Sequence, residues 1–90
     1  MRERSLQITY RKGRALAAYL YLAGETGEKS VRMEPSQDGL LVVDYAADNR
    51  PIGIEIVSPD AVTLDRLNQV LEKLGILPLA EEEYRPLSAA

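Results

Sequence analysis

The side chains of this sequence that could do chemistry are carboxylates and tyrosines, because the chain contains no histidine and no cysteine. Those two residue types supply the commonest general base, the commonest transition-metal ligand and all thiolate sites. Asp44 and Glu55 fall within two aliphatic segments, and Tyr19 and Tyr21 alternate with leucines in a third. Two carboxylates beside a phenol could bind a small molecule or support hydrolysis.

Asp44 and Glu55 come together only if their two segments pair as neighbouring strands. In the pairing favoured below they are diagonal neighbours on one sheet face, roughly 5.5–8 Å apart. No third carboxylate accompanies them, and the sequence has no P-loop, HExxH, EF-hand or CxxC motif. We therefore expect no catalytic site, no metal and no cofactor, and we interpret both acids as solvent-side residues or as part of a contact surface.

The composition is typical of one small soluble domain covering residues 1–90. The 90 residues are 46% hydrophobic and 28% charged, with a net charge of −3. Residues 1–32 hold seven Lys and Arg against three Glu, a balance of +4, and residues 33–90 hold four against eleven acids, a balance of −7. This acidic excess argues against a nucleic-acid partner. The two halves form either solvated surfaces of opposite charge or surfaces that steer a head-to-tail or partner contact, and a partner of the acidic half would be a basic protein.

The apolar run at 15–23 is nine residues long, which is too short to cross a bilayer. It begins behind fourteen mostly polar residues and alternates Tyr with Leu, a strand pattern that signal peptides lack. We expect a cytoplasmic chain with no membrane partner.

Hydrophobic spacing predicts an α+β fold. Apolar alternation predicts an antiparallel meander sheet of four to five strands within about 5–57, with segments at 5–10, 15–22, 29–34, 40–45 and 52–57. A leucine stripe predicts one main C-terminal helix over about 60–74, capped by Ser58 or Thr63, ended at Gly75 and packed on one sheet face. A tail at 75–90 follows.

Two signals disagree about the register of the last hairpin. Pairing Tyr45 with Ile52 brings Val43 opposite Ile54 and makes one face wholly apolar. The Asp-Asn turn instead suits a three-residue loop with Asn49 in the left-handed region, which shifts the parity of the pairing. We favour the apolar register, which places Glu55 on the face away from the helix.

The tail allows two interpretations. Leu79 and Tyr84 could pack a short helix back onto the domain. Alternatively, the acidic run beside Tyr84 could be a segment that docks on a basic partner. The predicted interaction surface comprises residues of the solvent-side sheet face and of this run: Asp44, Glu55, Tyr19, Tyr21, Glu81, Glu82, Glu83 and Tyr84.

A single helix covers only one face of such a sheet. The other face keeps Leu40, Val42 and Val57 together with the two tyrosines. Exposed apolar surface of this kind usually marks a contact. We therefore expect a homodimer that forms through this face or through an edge strand.

The segment "GLLVVDYAADNRPIGIEIVSP" at 39–59, with "ITY" at 8–10 and "AYLYL" at 18–22, resembles the YuzE-like family of small bacterial domains. The similarity covers residues 6–59 and depends mostly on the Gly-Ile-Glu-Ile strand at 53–56. It departs at the first turn, which is acidic in that family and is "RKGR" here. The resemblance implies a four-stranded antiparallel sheet, no established activity, and an antitoxin-like role beside small ribonuclease-type toxins. It also implies that Gly53 permits a close approach and that Ile54 and Ile56 belong to the core.

Two functions of different classes follow from these patterns. The first is a non-catalytic protein-interaction module, antitoxin-like in its role. The alternative is a small-molecule-binding or hydrolytic domain that uses Asp44, Glu55 and a tyrosine.

Overall fold

The computed structural model describes residues 3–24 and 27–88, so the first two and last two residues of the predicted domain lie outside the described part. Within this part of the chain, five strands form one antiparallel sheet in the order β1-β2-β5-β4-β3. The elements are β1 (Ser5–Arg11), β2 (Arg14–Tyr21), β3 (Arg32–Pro35), β4 (Leu41–Tyr45), β5 (Pro51–Ile56), α1 (Leu64–Lys73) and α2 (Glu81–Ser88). The predicted α+β fold is confirmed, and its meander runs through β3, β4 and β5, because β2 pairs with β5 and not with β3.

The first hairpin is closed by the basic turn of the sequence. Arg11 pairs with Arg14, and the two residues between them, Lys12 and Gly13, both have positive φ, of 53° and 77°. Such a two-residue turn matches the right-handed twist of the strands it joins. The register shifts between Thr9 and Tyr10, so that β2 carries one extra residue there.

The hairpin between β4 and β5, for which two registers were considered, satisfies both sequence signals. Residues 41–44 follow the apolar register, with Val43 opposite Ile54. Asn49 has a φ of 70° in the loop, as the turn pattern indicates. The two are compatible because a bulge shifts the register after Asp44, and Tyr45 pairs with Pro51 instead of Ile52. Ile52 is therefore the extra residue of β5.

The core lies between one sheet face and both helices. Among the residues that the structure describes, six large side chains of the strands and α1 are fully buried: Leu20, Leu41, Ile54, Ile56, Leu67 and Leu71. Leu79 and Leu87, before and within α2, are buried in the same cluster. Each such side chain contributes roughly 1.5–3 kcal/mol on burial. The leucine stripe thus covers the sheet, as its spacing predicts.

Helix α1 begins later than the sequence pattern indicates. Thr63 is its N-cap, and the Thr63 side chain accepts a hydrogen bond of 3.1 Å from the backbone N–H of Arg66. Ser58 instead precedes a separate 3-10 turn at Pro59–Ala61 and makes no capping bond. The helix ends just before Gly75, whose φ of 73° is typical of a glycine that follows a helix.

Candidate interaction surface

The sheet face opposite the helices carries the residues that the sequence singles out. The register sets them in two rows across the strands. One row joins Tyr19 of β2, Glu55 of β5 and Val42 of β4. The next row joins Tyr21, Gly53 and Asp44 in the same strand order. Because opposed residues share a face, both rows lie on what we call the outer face.

Tyr19 crosses from one row to the other. Its hydroxyl donates a hydrogen bond of 2.7 Å to Oδ2 of Asp44, which lies two strands away. The ring reaches Asp44 by passing over Gly53, where an added Cβ would lie closer than 3.0 Å to the hydroxyl oxygen and ring carbons of Tyr19. The Gly53 position therefore needs a residue with no side chain, and the close approach that the family resemblance implies is made by a tyrosine ring.

The second tyrosine supports the first. The rings of Tyr19 and Tyr21 meet edge to face, with centroids 4.6 Å apart and an interplanar angle of 64°. This geometry is favoured for aromatic pairs and holds both rings against the sheet. Both side chains are only partly buried, so part of each ring remains accessible.

The two carboxylates of the outer face have different surroundings. Glu55 is exposed, as predicted. Asp44 is partly buried: Oδ2 accepts the tyrosine hydroxyl, while Oδ1 is buried without a hydrogen-bond partner in the described structure. Burial of an unpaired carboxylate oxygen is costly. Asp44 is thus held within the face, and Glu55 is the carboxyl side chain that is exposed.

Apolar side chains surround these acids. Val57 is 43% exposed and Met33, which pairs with Asp44 from β3, is 66% exposed. Leu40 and Val42 are partly buried. In the described strands, the positions paired with Asp44 and Glu55 hold no Lys or Arg, whereas Arg11 and Arg14 pair at the far end of β1 and β2. The surface therefore combines aromatic and aliphatic groups with negative charge.

The acidic run of the tail divides into bound and free side chains. Glu83 forms two hydrogen bonds with Arg4, of 3.0 and 2.9 Å, and its Oε1 also accepts from the backbone N–H of Ala80. These bonds lower the pKa of Glu83, the largest effect coming from Arg4. Glu81 and Glu82 are exposed.

Tyr84 belongs to the packing of the tail. Its hydroxyl donates to the backbone carbonyl of Val62, its ring lies against the core, and burial raises its pKa. Of the two interpretations of the tail, the packed helix is the one that the fold adopts in α2. The structure therefore brings Asp44 and the tyrosines of β2 together, and leaves the acidic run at a separate place.

Sequence reasoning missed two polar contacts that fix the tail. Asn68 of α1 donates to the carbonyl of Leu79 and accepts from its N–H, at 3.2 and 2.8 Å. Arg4 donates to the carbonyls of Leu77 and Pro78, at 2.6 and 3.3 Å. Asn68 falls on the polar side of the helix pattern, and nothing in that pattern distinguishes it from a solvated residue.

Two hollows of the surface lie away from Asp44 and Glu55. One of about 340 Å³ lies between β3, β4 and α1, beside Tyr45 and Arg66. Another of about 400 Å³ lies at the first turn and is lined by basic and apolar side chains that include Arg11 and Leu16. Within residues 3–24 and 27–88, no group of three or more His, Cys, Asp or Glu could hold a metal ion.

Neither helix in the described part of the chain is long and apolar enough to cross a membrane. The fold and the surface define a small α+β domain with one helix-covered and one uncovered sheet face. Comparison with family models, with curated proteins and with solved structures found no match to this chain. The resemblance to the YuzE-like family stays a prediction.

Proposed function

We propose that this chain is a non-catalytic protein-interaction module with an antitoxin-like role in the cytoplasm, and that its outer face binds a basic partner protein. The observation that carries the proposal is the pairing of negative charge with accessible aromatic surface: Glu55 is exposed beside the partly buried rings of Tyr19 and Tyr21. Aromatic anchors next to charge are typical of the residues that dominate binding energy.

The partner's charge follows from the outer face. Its acids, Asp44 and Glu55, have no basic neighbour at the paired positions of the described strands. A partner that supplied Arg or Lys would gain a charge-assisted contact with the exposed Glu55 and would be steered to the face at low salt. Tyr84 is engaged with Val62, so the anchoring role falls to the tyrosines of β2, and the exposed Glu81 and Glu82 add only to the long-range attraction.

An antitoxin-like role needs no chemistry from this chain. Enzymes that cleave RNA hold phosphates on basic surfaces. A module that occupied such a surface would exclude the substrate by competition. This mechanism is compatible with a sequence that has neither histidine nor cysteine.

The test is to look for a small basic protein encoded next to this chain and to measure its binding by calorimetry at low and high salt. We expect Glu55→Lys to weaken binding at least tenfold and the affinity of the unchanged protein to fall as salt rises. Glu72→Lys is the matched control, because Glu72 is an equally exposed acid on α1. Equal binding by both variants, or no binding by the unchanged chain, would contradict the proposal.

A hydrolytic or small-molecule-binding domain is the second candidate, and the Tyr19–Asp44 hydrogen bond is the observation that favours it. A phenol held on a carboxylate is a catalytic arrangement in some enzymes. Turnover of ester or phosphoester substrates that Asp44→Asn abolishes in a folded protein would support this candidate. The interaction module predicts no turnover for either protein.

A further inference from the structure

The two edges of the sheet differ in how they are protected. Edge strand β3 spans four residues, Arg32–Pro35, that include two charges and a proline. Short length, charge and proline are the usual devices that prevent an edge from pairing. Edge strand β1 spans Ser5–Arg11, has no proline, and has no charge before its last residue. The β1 edge is therefore the one that can accept another strand.

The main chain of β1 presents alternate residues at this edge. The N–H of Leu22, just after β2, donates to the carbonyl of Ile52, so even-numbered residues of β2 face β5. Hydrogen bonding alternates along a strand, so odd-numbered residues of β2 face β1. Their partners in β1 are also odd-numbered, as Tyr19 with Gln7 illustrates. The N–H and C=O groups of Leu6 and Ile8 consequently point outward.

We infer that the β1 strands of two copies of this chain pair antiparallel about a two-fold axis at Gln7. This register sets Leu6 opposite Ile8 of the second copy as a hydrogen-bonded pair, and Ser5 opposite Thr9. Leu6 and Ile8 are partly buried residues at the open end of the core, and pairing them extends the core across the joint. The occupant of the edge is thus a second copy.

The charges at the ends of β1 select this register. About Gln7, Glu3 lies opposite Arg11 of the second copy, and neither residue has an ion-pair partner within the described residues. An axis one residue later, at Ile8, would instead set Arg4 opposite Lys12. Opposite charges across a strand pair stabilise it and like charges destabilise it. The first register gains two attractive pairs by symmetry, and the second gains two repulsive ones.

Two further features fit the same axis. Tyr10, which is 52% exposed, comes opposite Arg4, whose guanidinium is already fixed by Glu83. A planar guanidinium against a tyrosine ring is a favourable contact. A hollow of about 210 Å³ between β1 and α2 is lined by Leu6, Leu79 and Pro86, and Ile8 of the second copy would enter beside it.

Because the chain contains no cysteine, a single introduced cysteine can form a disulfide only with the same residue of a second copy. In this register Gln7 faces Gln7 of the second copy as a non-hydrogen-bonded pair, with Cα atoms about 4.5 Å apart, within the range that a disulfide spans. Thr9 is the matched control, since it is also exposed on the outer side of β1. It would lie about 14 Å from its own counterpart, four residues along the strand.

The full-length chain would be examined by sedimentation equilibrium and by mild oxidation at about 10 μM. We expect twice the 10.0 kDa mass of one chain, and a Gln7→Cys variant that cross-links at least tenfold faster than Thr9→Cys. Glu3→Arg and Arg11→Glu should each raise the dimer dissociation constant about tenfold, and the double variant should restore it.

Equal cross-linking rates for the two cysteine variants, or a chain that stays monomeric at high micromolar concentration, would overturn the inference. Cross-linking of Gln7→Cys with Thr9→Cys, but not of Gln7→Cys with itself, would overturn the register by moving the axis to Ile8. The inference goes beyond the proposed function and is tested separately. If the chain were monomeric and still bound a basic protein through Glu55, only the dimer would be contradicted.

Discussion

Gly53→Ala tests the close contact between the Tyr19 ring and the backbone at residue 53. The new Cβ would lie closer than 3.0 Å to the ring and hydroxyl of Tyr19. To regain an ordinary contact of about 3.5 Å, the ring must withdraw by about 1 Å or more. That movement stretches the 2.7 Å bond to Asp44 past the usual range of hydroxyl hydrogen bonds, which ends at about 3.0 Å.

The magnitude follows from three contributions. Overpacking strain costs about 1–3 kcal/mol, and loss of the hydrogen bond costs about 0.5–1.5 kcal/mol. Alanine is favoured over glycine within a strand by about 0.5–1 kcal/mol, which offsets part of this cost. We therefore expect Gly53→Ala to lower the free energy of unfolding by about 1–3 kcal/mol, because Tyr19 occupies the space above residue 53.

The assay is urea denaturation followed by circular dichroism, repeated in a Tyr19→Ala background. There the space above residue 53 is empty, so Gly53→Ala should be neutral or slightly stabilising. Tyr19→Phe separates the two effects, since it keeps the ring and removes only the hydroxyl that Asp44 accepts from. If Gly53→Ala cost the same with and without the tyrosine ring, the close approach would not be the cause and the reasoning would be refuted.

The remaining predictions concern the core, the loop before α2 and the tail. Ile54→Ala should cost about 2–5 kcal/mol by leaving a cavity, and Glu55→Gln less than about 1 kcal/mol at an exposed position; urea melts in the reverse order would contradict the facial assignment. Asn68→Ala should cost about 1–3 kcal/mol, because it removes two partly buried hydrogen bonds, and an unchanged melt would show that they do not hold the loop. The pKa of Glu83 is lowered in the folded state, so its contribution to stability is present above its ordinary pKa of 4.5 and is lost as the pH falls through the lower folded value. Glu83→Gln should therefore flatten the acid side of the stability curve, and a curve as steep as that of the unchanged protein would contradict this.

The hairpin between β4 and β5 illustrates how far the sequence could predict the fold. The apolar match predicted the register of residues 41–44, and the turn chemistry predicted the left-handed Asn49. Each signal is local and was right over its own residues, but the predicted pairing of Tyr45 with Ile52 was wrong, because Tyr45 pairs with Pro51. The sequence did not reveal that a bulge at Ile52 reconciles them, because an unpaired residue leaves no mark on apolar alternation.

The polar contacts that fix the tail could not be predicted from the sequence, for a different reason. Arg4 and Glu83 are 79 residues apart in sequence, and Asn68 and Leu79 are joined across a loop. No periodicity connects such residues, since their meeting depends on the path of the whole chain. Arg4 and Glu83 come from the basic and the acidic half of the sequence, and their ion pair forms inside a single domain.

The register at Gln7 determines how the outer faces of the two copies lie relative to each other. Gln7 pairs with Tyr19, which pairs with Glu55, so these three residues form one row across β1, β2 and β5. A two-fold axis at Gln7 continues that row into the second copy and keeps both outer faces on the same side. Five strand spacings then separate the two Glu55 residues, about 24 Å before twist. A partner that is itself a dimer could engage both acids at once and would gain avidity that a monomer could not. The affinity of such a partner should therefore fall when Arg11→Glu separates the copies, although Arg11 lies outside the outer-face rows, and Glu3→Arg added to that variant should restore it.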